Sequence, residues 1–210
     1  MNLRDPGDKH TFPPPDIFPA RILTRNFTDE GTYTRKCHAF FAAIFTCLKQ
    51  RLSTGSTENF IKEWNDRMSE LVDPICITTR DLFFGDVEQE YDSVSLHPRS
   101  KHLAYHSFQI YAQVNDGTDD YDGTKAMARA FRSLCGVLKE RKKPHGPFLV
   151  IAVDEAHELT PILQPGNWRP SMVVCRAIAA YSAVLKLFRC WVVFASTTSK
   201  VEFSSPQAKC

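Results

Sequence analysis

Between Thr34 and Leu52 the apolar residues Cys37, Phe40, Phe41, Ile44, Phe45 and Leu48 recur at helical spacing, and Arg35, Lys36, Lys49 and Arg51 mark polar ends. Gly55, set among Ser53, Thr54 and Ser56, breaks that helix. A second helix is predicted over about 57–71, with Phe60, Ile61, Trp64, Met68 and Leu71 along one stripe. A third, over about 124–140, has an apolar face built from Met127, Ala130, Phe131, Leu134 and Leu138. It follows the acidic run 116–123 and ends in Lys139, Arg141, Lys142 and Lys143, a polarity that complements the helix dipole. Pro144, Gly146 and Pro147 stop it. Between 72 and 121, Pro74, Gly85, Pro98 and Gly117 punctuate short mixed segments whose period fixes neither helix nor strand.

Past Pro147 the period changes. Phe148-Leu149-Val150-Ile151-Ala152-Val153 is apolar at every position and ends in Asp154-Glu155-Ala156-His157. A short, branched, wholly apolar run predicts a strand buried on both faces. A loop over 160–170 leads to a fourth helix, about 171–188, and then to a second apolar run, Cys190 to Ala195, followed by Ser196-Thr197-Thr198-Ser199. Strand, crossover helix and strand form a βαβ unit, and such units build parallel sheets. The fold class expected is therefore α/β: a parallel sheet flanked by helices. The five prolines within 1–19 lead to a further expectation, an extended proline-rich arm over 1–33 ahead of one domain over 34–210.

Composition narrows the classes. With 210 residues, 43% apolar and 24% charged, the chain has the make-up of an ordinary globular domain with a core of useful size. A formal net charge of +2 gives no overall electrostatic reason to expect nucleic acid or an anionic membrane as partner. The seven cysteines are dispersed without a C-x-x-C pair, which points to a reducing compartment. No apolar leader opens the sequence and no run reaches 18 apolar residues, so the chain reads as intracellular and soluble, cytoplasmic or nuclear.

The run FLVIAVDEAHEL carries the candidate chemistry. Acidic residues stand at many strand ends simply because loops are polar. Six apolar residues followed by Asp-Glu-Ala-His is a longer pattern, of Walker B type. An Asp at the carboxyl end of a central strand is placed to hold the Mg²⁺ that bridges nucleotide phosphates, and a following Glu to activate the attacking water. Asp154 is the expected metal residue and Glu155 the expected catalytic base. Thr197 and Thr198, at the end of the next strand, are the expected phosphate-side contacts.

These residues resemble the core of AAA-like and STAND-like P-loop ATPases of the additional-strand class. More narrowly, they are similar to large fungal proteins with a DEAH-L strand and a later strand ending in S-T-T. The resemblance covers about 147–206 and implies Mg²⁺ and ATP as cofactors, with Asp154 on the metal, Glu155 on the water and, more weakly, Thr197 on the γ-phosphate. The chain departs from that pattern in lacking G-x-x-x-x-G-K-[ST]: Gly7-Asp8-Lys9 and Gly123-Thr124-Lys125 supply neither the glycine spacing nor the preceding strand. Without a Walker A strand the sheet is expected to be incomplete at one edge, leaving Cys190–Ala195 open to self-association or to another protein. The expectation is a partial or degenerate ATPase domain, not competent alone. A non-catalytic interaction module or remnant is the alternative, and a DEAH-type helicase piece a further one, although 53 residues after His157 leave no room for a second RecA-like domain. The run 116–123 lacks the twelfth-position Glu of an EF-hand, and His102 with His106 lacks companion ligands.

Overall fold

The computed structural model describes residues 1, 16–25, 27, 29–54, 60–68, 77–95, 123–141, 149–184 and 190–195. These form, in chain order, helices α1 (Ile17–Thr24), α2 (Glu30–Thr54), α3 (Phe60–Met68), α4 (Thr79–Ser95) and α5 (Gly123–Arg141), strand β1 (Leu149–Val153), a 3₁₀ turn (Ala156–Leu159), helix α6 (Pro170–Val184) and strand β2 (Cys190–Phe194).

Helix α2 is the centre. Asp29 starts it by accepting the Thr32 N–H at 2.8 Å. Phe40, Phe41, Ala43 and Phe45 are almost wholly buried along its middle, too many consecutive positions for a helix covered on one side only. α5 lies against it with Met127, Phe131 and Leu134 inward, and the Phe45 and Phe131 rings meet at 4.9 Å between centroids. α4 covers another side, and α6 packs on both α2 and α5. Trp168, just before α6, sits against Tyr33 with ring centroids 5.3 Å apart.

The expected sheet-centred α/β architecture is not found. Among the described residues the only sheet is the parallel pair β1–β2, and the remainder is mostly helix. The strand expectation over 148–153 succeeds in type and in its parallel partner, with Ile151 opposite Val192. It fails in burial: Ile151 and Val153 face the core, whereas Val150 is 54% exposed and Ala152 is also exposed. An unbroken apolar run does not by itself require two covered faces. The core belongs to the helices because α2 alone presents more apolar surface than both five-residue strands.

Two further differences concern boundaries. Within the expected arm, residues 17–24 are helical, and Phe18, Ala20 and Leu23 are buried in the core. Pro19 is tolerated because first-turn N–H groups have no intrahelical acceptor. Residues 79–95, left unassigned by period, form α4. Thr78 and Asp81 cap it reciprocally: Asp81 N–H donates to Thr78 Oγ1 at 3.1 Å, and Thr78 N–H to Asp81 Oδ2 at 3.0 Å. No helix among the described residues is long and apolar enough to cross a membrane.

Cys37, Cys47, Cys135 and Cys175 are free thiols. Burial pushes Cys37 and Cys47 up to about 12 and Cys135 up to about 11. The folded chain thus holds these thiols neutral, a stabilisation present below the ordinary thiol value of 9.0 and lost as pH climbs toward 11–12. The urea midpoint should therefore fall between pH 8 and pH 10.5, and less so in Cys47→Ala. Site-mapped maleimide labelling at pH 8 should leave Cys37 and Cys47 unmodified until urea is added. Rapid native labelling of either would contradict this packing.

Candidate functional site

The expected chemistry lies at the carboxyl end of β1, where the chain leaves the sheet through a tight turn. The ladder runs past the strand ends: Ala195 N–H donates to Val153 O at 2.8 Å, and Ala156 N–H to Ala195 O at 2.8 Å. These bonds hold the exits of the two strands side by side. Opposite β2, the Met1 amino group donates to Ala152 O at 2.5 Å and Asp154 N–H to Met1 O at 2.7 Å.

Asp154 is half-buried, and its Oδ1 accepts the N–H of Glu155 at 2.9 Å. Glu155 adopts a left-handed backbone conformation, φ 56° and ψ 39°, which costs a non-glycine residue about 1–2 kcal/mol. That twist turns its side chain inward, leaving it 4% exposed, with Oε2 at 3.1 Å from His157 Nδ1. The other ring nitrogen of His157 lies 3.2 Å from Glu158 Oε1. Ala156 and Leu159 anchor the turn in the core, and α1 and α6 pack on it. Glu155 thus meets an imidazole, in place of the open water-facing position expected of a catalytic base.

A second feature beside this tip had no signal in the sequence. Asp16, which precedes α1, receives both Arg80 Nε at 2.7 Å and Arg80 Nη2 at 2.6 Å, a two-pronged pair joining positions 64 apart in the chain. Burial works against the Arg80 charge. The hydrogen bonds and negative charge of Asp16, helped by Asp81 and Asp154, nonetheless hold the guanidinium above its ordinary value. Arg80 therefore contributes positive potential at Asp154.

Thr197 and Thr198, with Ser196, lie outside the described residues, as do His102, His106 and most of the acidic run 116–123. Among the described residues no three His, Cys, Asp or Glu side chains converge as a metal-binding set. A single carboxylate is nevertheless what many Mg²⁺-nucleotide sites contribute, with phosphates and waters completing the shell. Asp154 offers one carboxylate oxygen for that role, against the positive charge of Arg80 and of the Met1 amino group. No family model, curated protein or solved structure matches this chain.

The Asp16–Arg80 pair gives a direct test of how the start of α1 is held against α4. Asp16→Ala would strand a part-buried guanidinium, and unfolding in urea should show a loss of about 3 kcal/mol. Asp16→Ala combined with Arg80→Met should recover much of it. A single variant within about 0.5 kcal/mol of the parent would mean that the pair holds nothing in place.

Proposed function

We propose that the chain carries the acidic half of an ATP-hydrolysing centre and is not competent for turnover alone. Supporting this is one observation: a parallel β1–α6–β2 unit in which Asp154 and Glu155 follow directly on the last residue of β1, with the exit of β2 bonded beside them. In this reading Asp154 offers its free oxygen to Mg²⁺, which when bound neutralises phosphate charge. Glu155 is the base for the attacking water, and Thr197 and Thr198 are the phosphate-side contacts. Incompetence follows from two features. The sequence contains no glycine loop to wrap phosphates, and the Glu155 carboxylate is turned onto His157. The buried free thiols favour a reducing, cytoplasmic setting for such a protein.

Two measurements on the purified chain test this. Mn²⁺, used as a paramagnetic substitute for Mg²⁺, should broaden the Asp154 amide resonance, and Asp154→Asn should remove the effect. Equal broadening in the variant would dismiss the metal role. Mg-ATP turnover should stay at background. Hydrolysis that Glu155→Gln abolishes would instead show a working site.

A second reading, a non-catalytic interaction module, is favoured by the outer face of the sheet. Val150 is 54% and Val193 47% exposed, one on each strand of a pair with no third described strand, with exposed Ala152 opposite Val193. If that face joins chains, light scattering should show mass rising with concentration, and Val193→Lys should keep the protein monomeric. A wild-type chain that stays monomeric at high concentration would remove self-association from this reading.

A further inference from the structure

The ladder between β1 and β2 fixes which main-chain groups of β2 are left over. Ala195 turns both its N–H and its C=O to β1, donating to Val153 O and accepting from Ala156 N–H, each at 2.8 Å. In a parallel ladder alternate residues bond the same neighbour. Trp191 and Val193 therefore also bond toward β1, in the register that sets Trp191 opposite Val150 and Val193 opposite Ala152. Cys190, Val192 and Phe194 turn their N–H and C=O groups the other way, and among the described residues no strand or loop meets them there.

The two edges of this small sheet differ. On the β1 side, the outward groups Ala152 O and Asp154 N–H are taken by Met1. On the β2 side the run 190–195 holds no proline, glycine or charged residue of the kind that blunts an exposed edge. The nearest charged residues in the sequence are Arg189, before the run, and Lys200, after it. Val192 and Phe194 pack partly against the core, which holds the edge in place. Main-chain groups presented in this way must be hydrated or find another strand.

We propose that β2 pairs edge to edge with β2 of a second copy of this chain, antiparallel about a two-fold axis at Val192. The inference rests on the interaction-module reading and narrows it from an apolar face to a strand edge and a partner. The strand is its own complement. Its outward positions 190, 192 and 194 are symmetric about 192, so position 192 meets position 192 of the second copy, and 190 meets 194 in both directions. Each outward N–H then has an outward C=O opposite it. Stacking of β2 on the β1 edge of another copy is blocked, because Met1 occupies that edge, so assembly closes at two chains. A free peptide segment could use the same bonds, but only by giving up its conformational entropy, whereas a second copy brings a strand of equal length already held extended.

Sedimentation velocity of the full chain in reductant tests this. Two five-residue strands make a small interface, under the about 800 Å² per partner of a standard complex, so a weak dimer is expected, forming as the chain approaches about 1 mM. Val192→Pro removes the central outward N–H without touching the ladder to β1, and should leave the chain monomeric over the same range. Val150→Lys lies on the exposed face of β1, away from the pairing edge, and should dimerise as the parent does. Circular dichroism reports whether Val192→Pro folds. Val192→Cys tests the register independently: hydrogen-bonded antiparallel neighbours have Cα atoms about 5.5 Å apart, within disulfide reach, so oxidation should link position 192 to position 192 of the second copy, as mapped by peptide mass spectrometry. A parent chain still monomeric at about 1 mM sinks this inference and self-association through the outer face together. Dimers that survive Val192→Pro but not Val150→Lys overturn edge pairing alone and leave the outer face as the contact. Assembly beyond two chains, or oxidised Val192→Cys without the link between the two 192 positions, also overturns it.

Discussion

The packing of α5 on α2 is the constraint from which most of this structure follows. Over 39–45 α2 is buried at every position, so its middle has to be covered on several sides. α5 covers one of them with an apolar face that ends sharply at its cations, so burying Phe131 and Leu134 forces Lys125, Arg132 and Lys139 outward. α4 and α6 occupy other sides, and the strand pair attaches through α6. The sheet is thus an appendage to a helical core, which is why its outer face is left uncovered among the described residues.

How much of this was legible follows from which patterns are local. α2, α3 and α5 were legible from apolar spacing and α6 as the crossover between two apolar runs, with ends a few residues from those found. The parallel pairing of β1 and β2 was legible from two apolar runs joined by one helix. Layer count was not, because a run such as Leu149–Val153 looks the same whether one face is covered or both. α4 carried a readable start that apolar period alone misses: Thr78-x-x-Asp81 ahead of Leu82, Phe83 and Phe84 is a capping box. The Asp16–Arg80 pair depends on contact across 64 positions, and nothing at either residue announces it.

At the strand tip, sequence placed Asp154 and Glu155 at the end of a strand, but not the direction in which each carboxylate points. That direction is set by one backbone torsion. With Glu155 in the left-handed region, its side chain goes under the turn while Asp154 stays at the surface. A carboxylate held inside must keep a partner, because an unpaired buried charge costs several kcal/mol. His157 is one such partner, two residues on. For Glu155 to act on water the turn must rearrange, exchanging that contact for another. The torsional strain stored at 155 lowers the cost of the exchange.

The net charge of +2 does not show how the charged residues are distributed over the fold. A net value averages over distances greater than the roughly 8 Å across which charges act in physiological salt. α4 and α5 each pack on α2, so the charges of α4 are met first by those of the helices it touches. The acidic residues of α4 find basic partners on α1 and α2, Glu88 through Arg21 and Asp86 through Arg51. Near-neutrality of the whole chain is therefore compatible with helices of opposite net charge, α4 acidic and α5 basic.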